Sequence, residues 1–427
     1  MPIPRYPYPN KNDFLARDHI SSHASKQATQ HRMQNIGAIL MLLASVVTCQ
    51  QCKPFQNTTG FEGNIDPKFV DIEINLPQDA CKTYRLYMVT YATHLERPDF
   101  CLMAVSATSY GFTLNVLATN RRHKFKENGL LDKLWALKEF VDALPVHPDI
   151  IVAFVDAYDT IFNGSPKALV RRMIMSGQNI VFASEKGCCS NKFFLRKSQN
   201  NCDENWPLPD VKTATPHLNT GGFVGYRNEL GDLLHLSAAE YKTTLASLQS
   251  GEVDPYTTGT DQALICQLYS YGGYENVTTT EEMSEMRRKL GMVIDFRNEM
   301  FMCMYNANLS DEIKYTKKGR VAVIGTDSCQ HLGSRFLESC YGVQRQWSYP
   351  VVLHFNGAGN RKTVPLREVA MTVKLPYKRS MAEIWNASMW IMDGNDVTVG
   401  GVCKDLPGDC GRRPVMACFG QNLGRKG

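Results

Sequence analysis

The sequence predicts an α/β protein with a mostly parallel, doubly wound central sheet. Three observations carry that expectation. Ile150-Ile-Val-Ala-Phe-Val155 is a run of six apolar residues, typical of a strand covered on both faces, and such strands belong to parallel sheets. Strand-like and helix-like segments alternate from Thr83 onward. The apolar run ends abruptly in two carboxylates, Asp156 and Asp159, where ligands bind beyond the carboxyl ends of parallel strands.

Taken in order, Tyr84–Ala92 has the apolar run of a first strand, and Phe100–Ser109 is helix-like. Phe112–Leu117 reads as the second strand, and Leu130–Leu144 carries apolar residues at helical spacing. The aspartate-ended strand comes third, then a helix over about Pro166–Met175 and a strand at Asn179–Ser184. A polar excursion with cysteines and prolines interrupts the sheet from Lys186 to Pro216, and long loops of this kind tend to be functional or covering elements. It closes in His217-Leu-Asn219-Thr-Gly221-Gly222-Phe-Val-Gly225-Tyr226, where the glycine pair lets backbone approach a ligand. Helices follow at Leu230–Leu248 and Asp261–Tyr269, then a short strand at Met292–Asp295.

The chain has 427 residues, 43% of them hydrophobic, enough for one large core or two adjoining ones. A formal net charge of +5 is small for that length and the basic residues are scattered, which argues against nucleic acid as a partner. All 14 cysteines lie at or after Cys49, as expected in an oxidising compartment. Before them runs Ile36-Gly-Ala-Ile-Leu-Met-Leu-Leu-Ala-Ser-Val-Val47, preceded by Arg5, Lys11, Arg17, Lys26 and Arg32 against only Asp13 and Asp18. That polarity leaves the N-terminus in the cytosol and the rest in the lumen of the ER or Golgi. The run is shorter than the about 20 residues of a full span. A signal anchor, a cleaved signal, a start at Met33 and a buried core helix all stay open. Sequons at Asn57, Asn163, Asn276, Asn308 and Asn386 agree with a luminal protein. Asn163 sits four residues past Asp159, and that closeness to the proposed site argues against a glycan there. Cys49-Gln-Gln-Cys52 and Cys188-Cys189 read as structural disulfides ahead of redox or zinc sites. The expected divisions are a cytosolic tail (1–35), the anchor or signal core (36–49), a stem (50–82), a catalytic domain (83–365) and a cysteine-containing extension (366–427).

Two carboxylates three residues apart suit a hard divalent cation that keeps positions open for substrate phosphates. The alternative for Asp156 and Asp159 is capping of the next helix.

Five blocks in order now carry a resemblance: Phe-Val-Asp156-Ala-Tyr158-Asp159, Val-Phe-Ala-Ser-Glu185-x-x-Cys188, Leu-Asn219-Thr-Gly221-Gly222-Phe-Val-Gly225, Asp261-Gln262 and His354-Phe-Asn356-Gly357. The sequence resembles the glycosyltransferase domain of multifunctional lysyl hydroxylases and the related procollagen galactosyltransferases over about residues 83–365. The resemblance implies a GT-A fold, a UDP-sugar donor and Mn²⁺ held by Asp156, Asp159 and His354. It places Thr90 and Tyr91 toward the uridine, Tyr158 in stacking on it, and Lys133 near ribose, phosphate or sugar. Asn219, Gly221 and Gly222 would border the donor sugar. Asn356, Gly357 and Gly359 would bring backbone donors to the diphosphate, with Lys362 as a phosphate contact. Asp261 and Gln262 would sit where sugar and acceptor meet, with Glu185 as a further acid or acceptor contact. The implied activity is transfer of a hexose, galactose or glucose, to a hydroxyl acceptor on protein or glycan, with hydroxylysine of a collagen-like protein among the choices.

Two departures fall on the acceptor side. Cys189 stands where the family has a tryptophan, and Thr257-Thr-Gly-Thr260 replaces a run of aspartates before Asp261. No hydroxylase half is expected, since His147-Pro-Asp149 is the only His-X-Asp and reads as a turn. A non-catalytic UDP-sugar or glycan binder and a metal-dependent phosphoesterase are the alternative functions. Cys403, Cys410 and Cys418 among glycines and prolines suggest a small disulfide-pinned tail packed on the enzyme.

Overall fold

The computed structural model describes residues 52, 55, 66–76, 81–117, 129–187, 206, 213–249, 260–271, 289–305, 307, 313–316, 321–324, 347–357, 365–370, 380–392 and 395–404. The chain divides into units 1–51 and 52–427, and the first lies outside the described residues with the expected tail and anchor. No helix among the described residues is long and apolar enough to cross a membrane.

The central sheet is built from β1 (Val70–Asn75), β2 (Cys81–Tyr91), β3 (Leu114–Leu117), β4 (Ile150–Asp156), β6 (Ile180–Glu185), β7 (His217–Tyr226), β8 (Met292–Ile294), β14 (Ser388–Ile391) and β15 (Asp396–Thr398). Its order is β15-β14-β3-β2-β4-β7-β6-β8, with β1 on the first half of β2. The stretch β14-β3-β2-β4 is parallel throughout, as the alternation of strands and helices predicts. β7 departs from that pattern. It lies antiparallel between β4 and β6, so the glycine-rich block expected to close a loop is a central strand. The class remains α/β with a largely parallel, mixed sheet.

Alternation along the strands sorts side chains onto two cores. Leu86, Met88, Ile151, Ala153 and Val155 face one core with helices α1 (Pro98–Tyr110) and α3 (Pro166–Ser176). Tyr87, Val89, Ile150, Val152 and Phe154 face the other, under α2 (Asp132–Ala143), α4 (Arg227–Gln249) and α5 (Asp261–Tyr271). This two-sided burial explains why β4 is apolar at every position before Asp156. On the second face, Phe223 of β7 lies between Phe154 and Phe182, both at 5.2 Å between ring centroids. Burying each such ring stabilises the fold by roughly 1.5–3 kcal/mol. The three hold β7 in its antiparallel place.

Helix boundaries follow local chemistry. α3 starts where the Ser165 side chain accepts from Ala168 N, with Pro166 in its first turn. α1 stops at Gly111, whose φ of 95° lets its N–H reach back to Ala107 and Thr108 carbonyls.

Two smaller sheets flank the main one. One orders β5 (Thr160–Phe162), β13 (Val352–His354) and β9 (Phe301–Cys303), and the other joins β10 (Ile313–Tyr315), β11 (Val321–Ile324) and β12 (Trp347–Ser348). The turn into β9 is gathered by Asp295, whose carboxylate accepts from Glu299, Met300 and Phe301 N–H groups.

The ends differ from expectation. Within the expected stem, β1 pairs with β2, and Arg85 of β2 stacks on Phe55 and Phe69 while binding Asp71. Past residue 366, β14 joins the main sheet beside β3, and Trp390 packs on Phe140. Helices α6 (Met381–Trp385) and α7 (Val399–Val402) flank it. Cys403 is bonded to Cys101 of α1, and Cys52 to Cys81. The described part of the extension is therefore tied to α1 through Cys403 and contributes to the sheet. Cys49, Cys188, Cys189, Cys410 and Cys418 lie outside the described residues.

Asn163 is fully buried; its amide donates to Val321 O and Pro350 O, and its oxygen accepts from Val321 N. A glycan there is incompatible with the fold. Asn386 is exposed. In protein secreted from a eukaryotic host, peptide mapping is expected to find Asn163 unmodified and the Asn386 sequon glycosylated.

Candidate active site

β4 delivers Asp156 at its carboxyl end, and a tight turn brings Asp159 just before β5. β5 pairs with β13 so that Thr160 faces His354, and Phe355 N donates to Asp159 O at 2.7 Å. On its other edge β13 pairs with β9, where Met304 N donates to His354 O at 2.7 Å. This small sheet carries a distant histidine to the two aspartates. His354 Nε2 stands 3.5 Å from both Asp156 Oδ2 and Asp159 Oδ1.

The ligand atoms of Asp156, Asp159 and His354 lie within 4.8 Å of one another. His354 is 2% exposed, and its Nε2 is buried without a hydrogen-bond partner. A buried nitrogen without a hydrogen bond, aimed between two carboxylates, fits a divalent cation. Burial alone would lower the His354 pKa, but the carboxylates of Asp159 and Asp156 outweigh it and hold the imidazole well above its usual value.

β7 passes beneath this group through an irregularity. Phe182 of β6 faces Phe223, yet the next residue, Ala183, faces Asn219, so Thr220, Gly221 and Gly222 have no partner on β6. Such a bulge re-aims side chains next to functional sites. A Cβ at Gly221 would fall 1.9 Å from His354 Cε1, so only glycine leaves room for the imidazole. Gly222 has a different neighbour. Its Cβ would meet Phe301 at 2.7 Å, so the core requires glycine here.

Lys133 of α2 is 8% exposed and joins two sides of the site. Its Nζ lies 2.9 Å from Asp156 Oδ1 and 2.7 Å from Asp261 Oδ2, at the start of α5. Thr220 Oγ1 donates to the same Asp261 oxygen at 2.6 Å. Burial works against the Lys133 charge, but the two carboxylates prevail and raise its pKa. Burial likewise opposes the Asp156 charge, and Lys133 with His354 holds that carboxyl below its usual range.

A polar chain extends from here. Asn219 Nδ2 donates to Gln262 Oε1 at 3.2 Å, and Gln262 Nε2 donates to Glu185 Oε1. Asn356 Nδ2 donates to Glu185 Oε2 at 2.5 Å, while its own oxygen accepts from Tyr305 N. Both Glu185 oxygens are thus engaged by amides. Burial raises the Glu185 pKa against these hydrogen bonds.

The remaining expected residues have the following surroundings. Thr90 is fully buried and its hydroxyl donates to Val155 O, because it lies within the parallel β2–β4 pair. The Tyr91 hydroxyl donates to Asp132 at 2.7 Å. Tyr158 OH accepts from His94 N, and the Arg97 guanidinium lies 4.4 Å from its ring centroid, so that ring is fixed with a cation over it. Gly357 adopts φ 111°, a backbone only glycine takes readily. Gly359 and Lys362 lie outside the described residues. Two site neighbours were not expected, Thr220 and Cys303. Thr220 sits inside a recognised block, so alternation about a strand could have found it. Nothing in the sequence locates Cys303, a thiol 3.6 Å from His354 Nδ1 that burial pushes up to about 11.

Comparison with known proteins agrees with the resemblance. A protein-family model described as "PLOD GT domain" matches residues 82–243. The human multifunctional procollagen lysine hydroxylase and glycosyltransferase LH3 is 25% identical over 168 residues, 37% of this chain and 20% of its own length. A Drosophila melanogaster procollagen-lysine,2-oxoglutarate 5-dioxygenase is 24% identical over 195 residues, 45% of this chain and 21% of its own. The chain therefore spans about a fifth of these curated relatives. Among solved structures, the galactosyltransferase LgtC aligns with a TM-score of 0.33 and 11% identity, covering 63% of this chain and 87% of LgtC. Mouse xyloside xylosyltransferase 1 aligns with a TM-score of 0.31 and 13% identity, covering 64% and 97%. Over residues 82–243 the chain is similar to the PLOD glycosyltransferase domain.

Proposed function

We propose that this protein is a metal-assisted glycosyltransferase of the secretory pathway, moving a hexose, galactose or glucose, from a UDP-sugar to a hydroxyl acceptor. The observation that carries the reading is the convergence of Asp156, Asp159 and His354 at the carboxyl end of β4. The family match over residues 82–243 and the word glycosyltransferase in the name of a relative support it. The disulfides support a luminal catalytic region over about 83–365. The acceptor is a protein or glycan hydroxyl, with hydroxylysine as one candidate.

Asp156, Asp159 and His354 would hold Mn²⁺, which when bound supplies Lewis-acid stabilisation of the departing diphosphate. Lys133 keeps Asp156 ionised and pointed, and ties it to Asp261. Asp261, ion-paired with Lys133 and accepting from Thr220, serves as an electrostatic partner for positive charge developing on the sugar. Gln262, Asn356 and Glu185 form the wall toward the acceptor, and Tyr91 and Tyr158 the nucleoside side.

In a panel of UDP-sugars, one donor is expected to release UDP with Mn²⁺, to fail with chelator and to fall at least about 100-fold in Asp159→Asn, since ligand loss exceeds outer-shell effects. Retained UDP binding without release from any donor would mean a non-catalytic binder. Hydrolysis of simple phosphodiesters without preference for uridine would mean a phosphoesterase. Gly221→Ala keeps every ligand atom yet drives a methyl into the imidazole. It is expected to abolish Mn²⁺ binding as fully as His354→Ala, measured by calorimetry.

The raised His354 pKa gives a pH dependence. Its protonated form stabilises the metal-free fold fully below the unfolded value near 6.5, and that contribution is lost as pH rises through the higher folded value. A cation must displace this proton. Binding of Mn²⁺ at neutral pH is therefore expected to release about one proton, with affinity rising roughly tenfold per pH unit until His354 is neutral. Calorimetry in two buffers of different ionisation enthalpy measures it, and no proton release would remove His354 from the ligand set.

A further inference from the structure

Behind the His354 imidazole, at the nitrogen not aimed at Asp156 and Asp159, lies the side-chain amide of Asn219. Its oxygen accepts from Gly221 N at 2.8 Å and stands 3.0 Å from His354 Nδ1. A backbone N–H can only donate, so the atom facing Gly221 is the amide oxygen rather than its nitrogen. That same oxygen faces Nδ1, and two acceptors do not share a hydrogen-bond distance. Nδ1 therefore carries the proton, and in a neutral imidazole the lone pair is on Nε2, the nitrogen 3.5 Å from each aspartate. The orientation of the amide is set at both ends. Gly221 N holds its oxygen, while its NH₂ donates to Gln262, which in turn donates to Glu185. Cys303 Sγ, at 3.6 Å, is the other neighbour of Nδ1 and only a weak acceptor.

We propose that Asn219 is a positioning residue: its carbonyl oxygen holds His354 in the Nδ1–H tautomer and so presents the Nε2 lone pair to a divalent cation between Asp156 and Asp159. The sequence resemblance put Asn219 beside the donor sugar; the geometry gives its oxygen to the histidine. The bulge in β7 has a purpose in this arrangement. It sets Asn219 and Gly221 on either side of the ring, one as acceptor and one as clearance. Without the acceptor, Nδ1–H would be buried beside a poor partner, and the ring would be free to turn its other nitrogen to the metal. The proposal rests on the metal-site reading above.

The test titrates Mn²⁺ alone into the metal-free chain, with free Mn²⁺ followed by electron paramagnetic resonance, for wild type, Asn219→Asp and Asn219→Leu. Aspartate keeps an oxygen for both Nδ1–H and Gly221 N–H, whereas leucine keeps the shape and removes the acceptor. Asn219→Leu is expected to lose roughly 10–100-fold in affinity, with Asn219→Asp retaining most of it and a cooperative thermal transition in both. Nitrogen-15 spectra of the Mg²⁺ complex are expected to show His354 protonated at Nδ1 in wild type and Asn219→Asp. Wild-type affinity in a folded Asn219→Leu, or a His354 unprotonated at Nδ1 in the wild-type complex, would overturn the proposal. Should Asn219→Leu not fold, the spectra and Asn219→Asp still decide. Failure of the wild-type chain to bind Mn²⁺ would instead remove the metal site, and this role with it.

Discussion

Asp156 ends a strand whose other residues are all buried and Asp159 follows in the next turn, and isolated carboxylates there would be driven toward taking up protons. Opposite charges keep Asp156 ionised: Lys133 at 2.9 Å and His354 at 3.5 Å. Each partner comes from a different part of the chain, so neutralising one strand end recruits most of the fold. Lys133 draws α2 toward α5 through Asp261, closing the second core. His354 draws the β5–β13–β9 sheet against the first core, where Phe162, Phe301 and Phe355 are buried. Three carboxylates, Asp156, Asp159 and Asp261, thus gather around Lys133 and His354. This local excess of negative charge is what a divalent ion would relieve.

β7 makes that convergence sterically possible. A regular antiparallel strand would project a side chain where the imidazole lies. The break in register between Phe182 and Ala183 instead exposes the backbone at Gly221, while Gly222 admits Phe301 and Phe223 stays locked between its aromatic neighbours. One end of β7 is therefore ordinary core, and the other is shaped around the site. Asn219 lies at the join, linked to His354 on one side and to Gln262 and Glu185 on the other. The metal-ligand cluster and Glu185 thus share one hydrogen-bonded chain through it.

The amino-acid sequence by itself determined β2, β3, β4, β6 and the helices that follow them, because each is a continuous run whose period and caps are written in adjacent residues. It also determined that β4 ends in paired carboxylates, a strictly local fact. The family resemblance added His354, Lys133 and Asp261 as companions of those carboxylates, although nothing in their own neighbourhoods connects them. Tertiary structure alone decided the rest. β5, β9 and β13 are three residues each, too short to show a period, and exist because their edges meet. β14 is a strand because β3 offers an unpaired edge, which turned an expected tail into part of the sheet. The glycine block reads locally as a loop and is a strand because β4 and β6 supply its hydrogen bonds. The Thr90 hydroxyl meets Val155 O only because β2 and β4 pair in parallel. Local pattern encodes which residues lie along an element, whereas which atoms meet across elements depends on long-range pairing and on the space left between packed side chains.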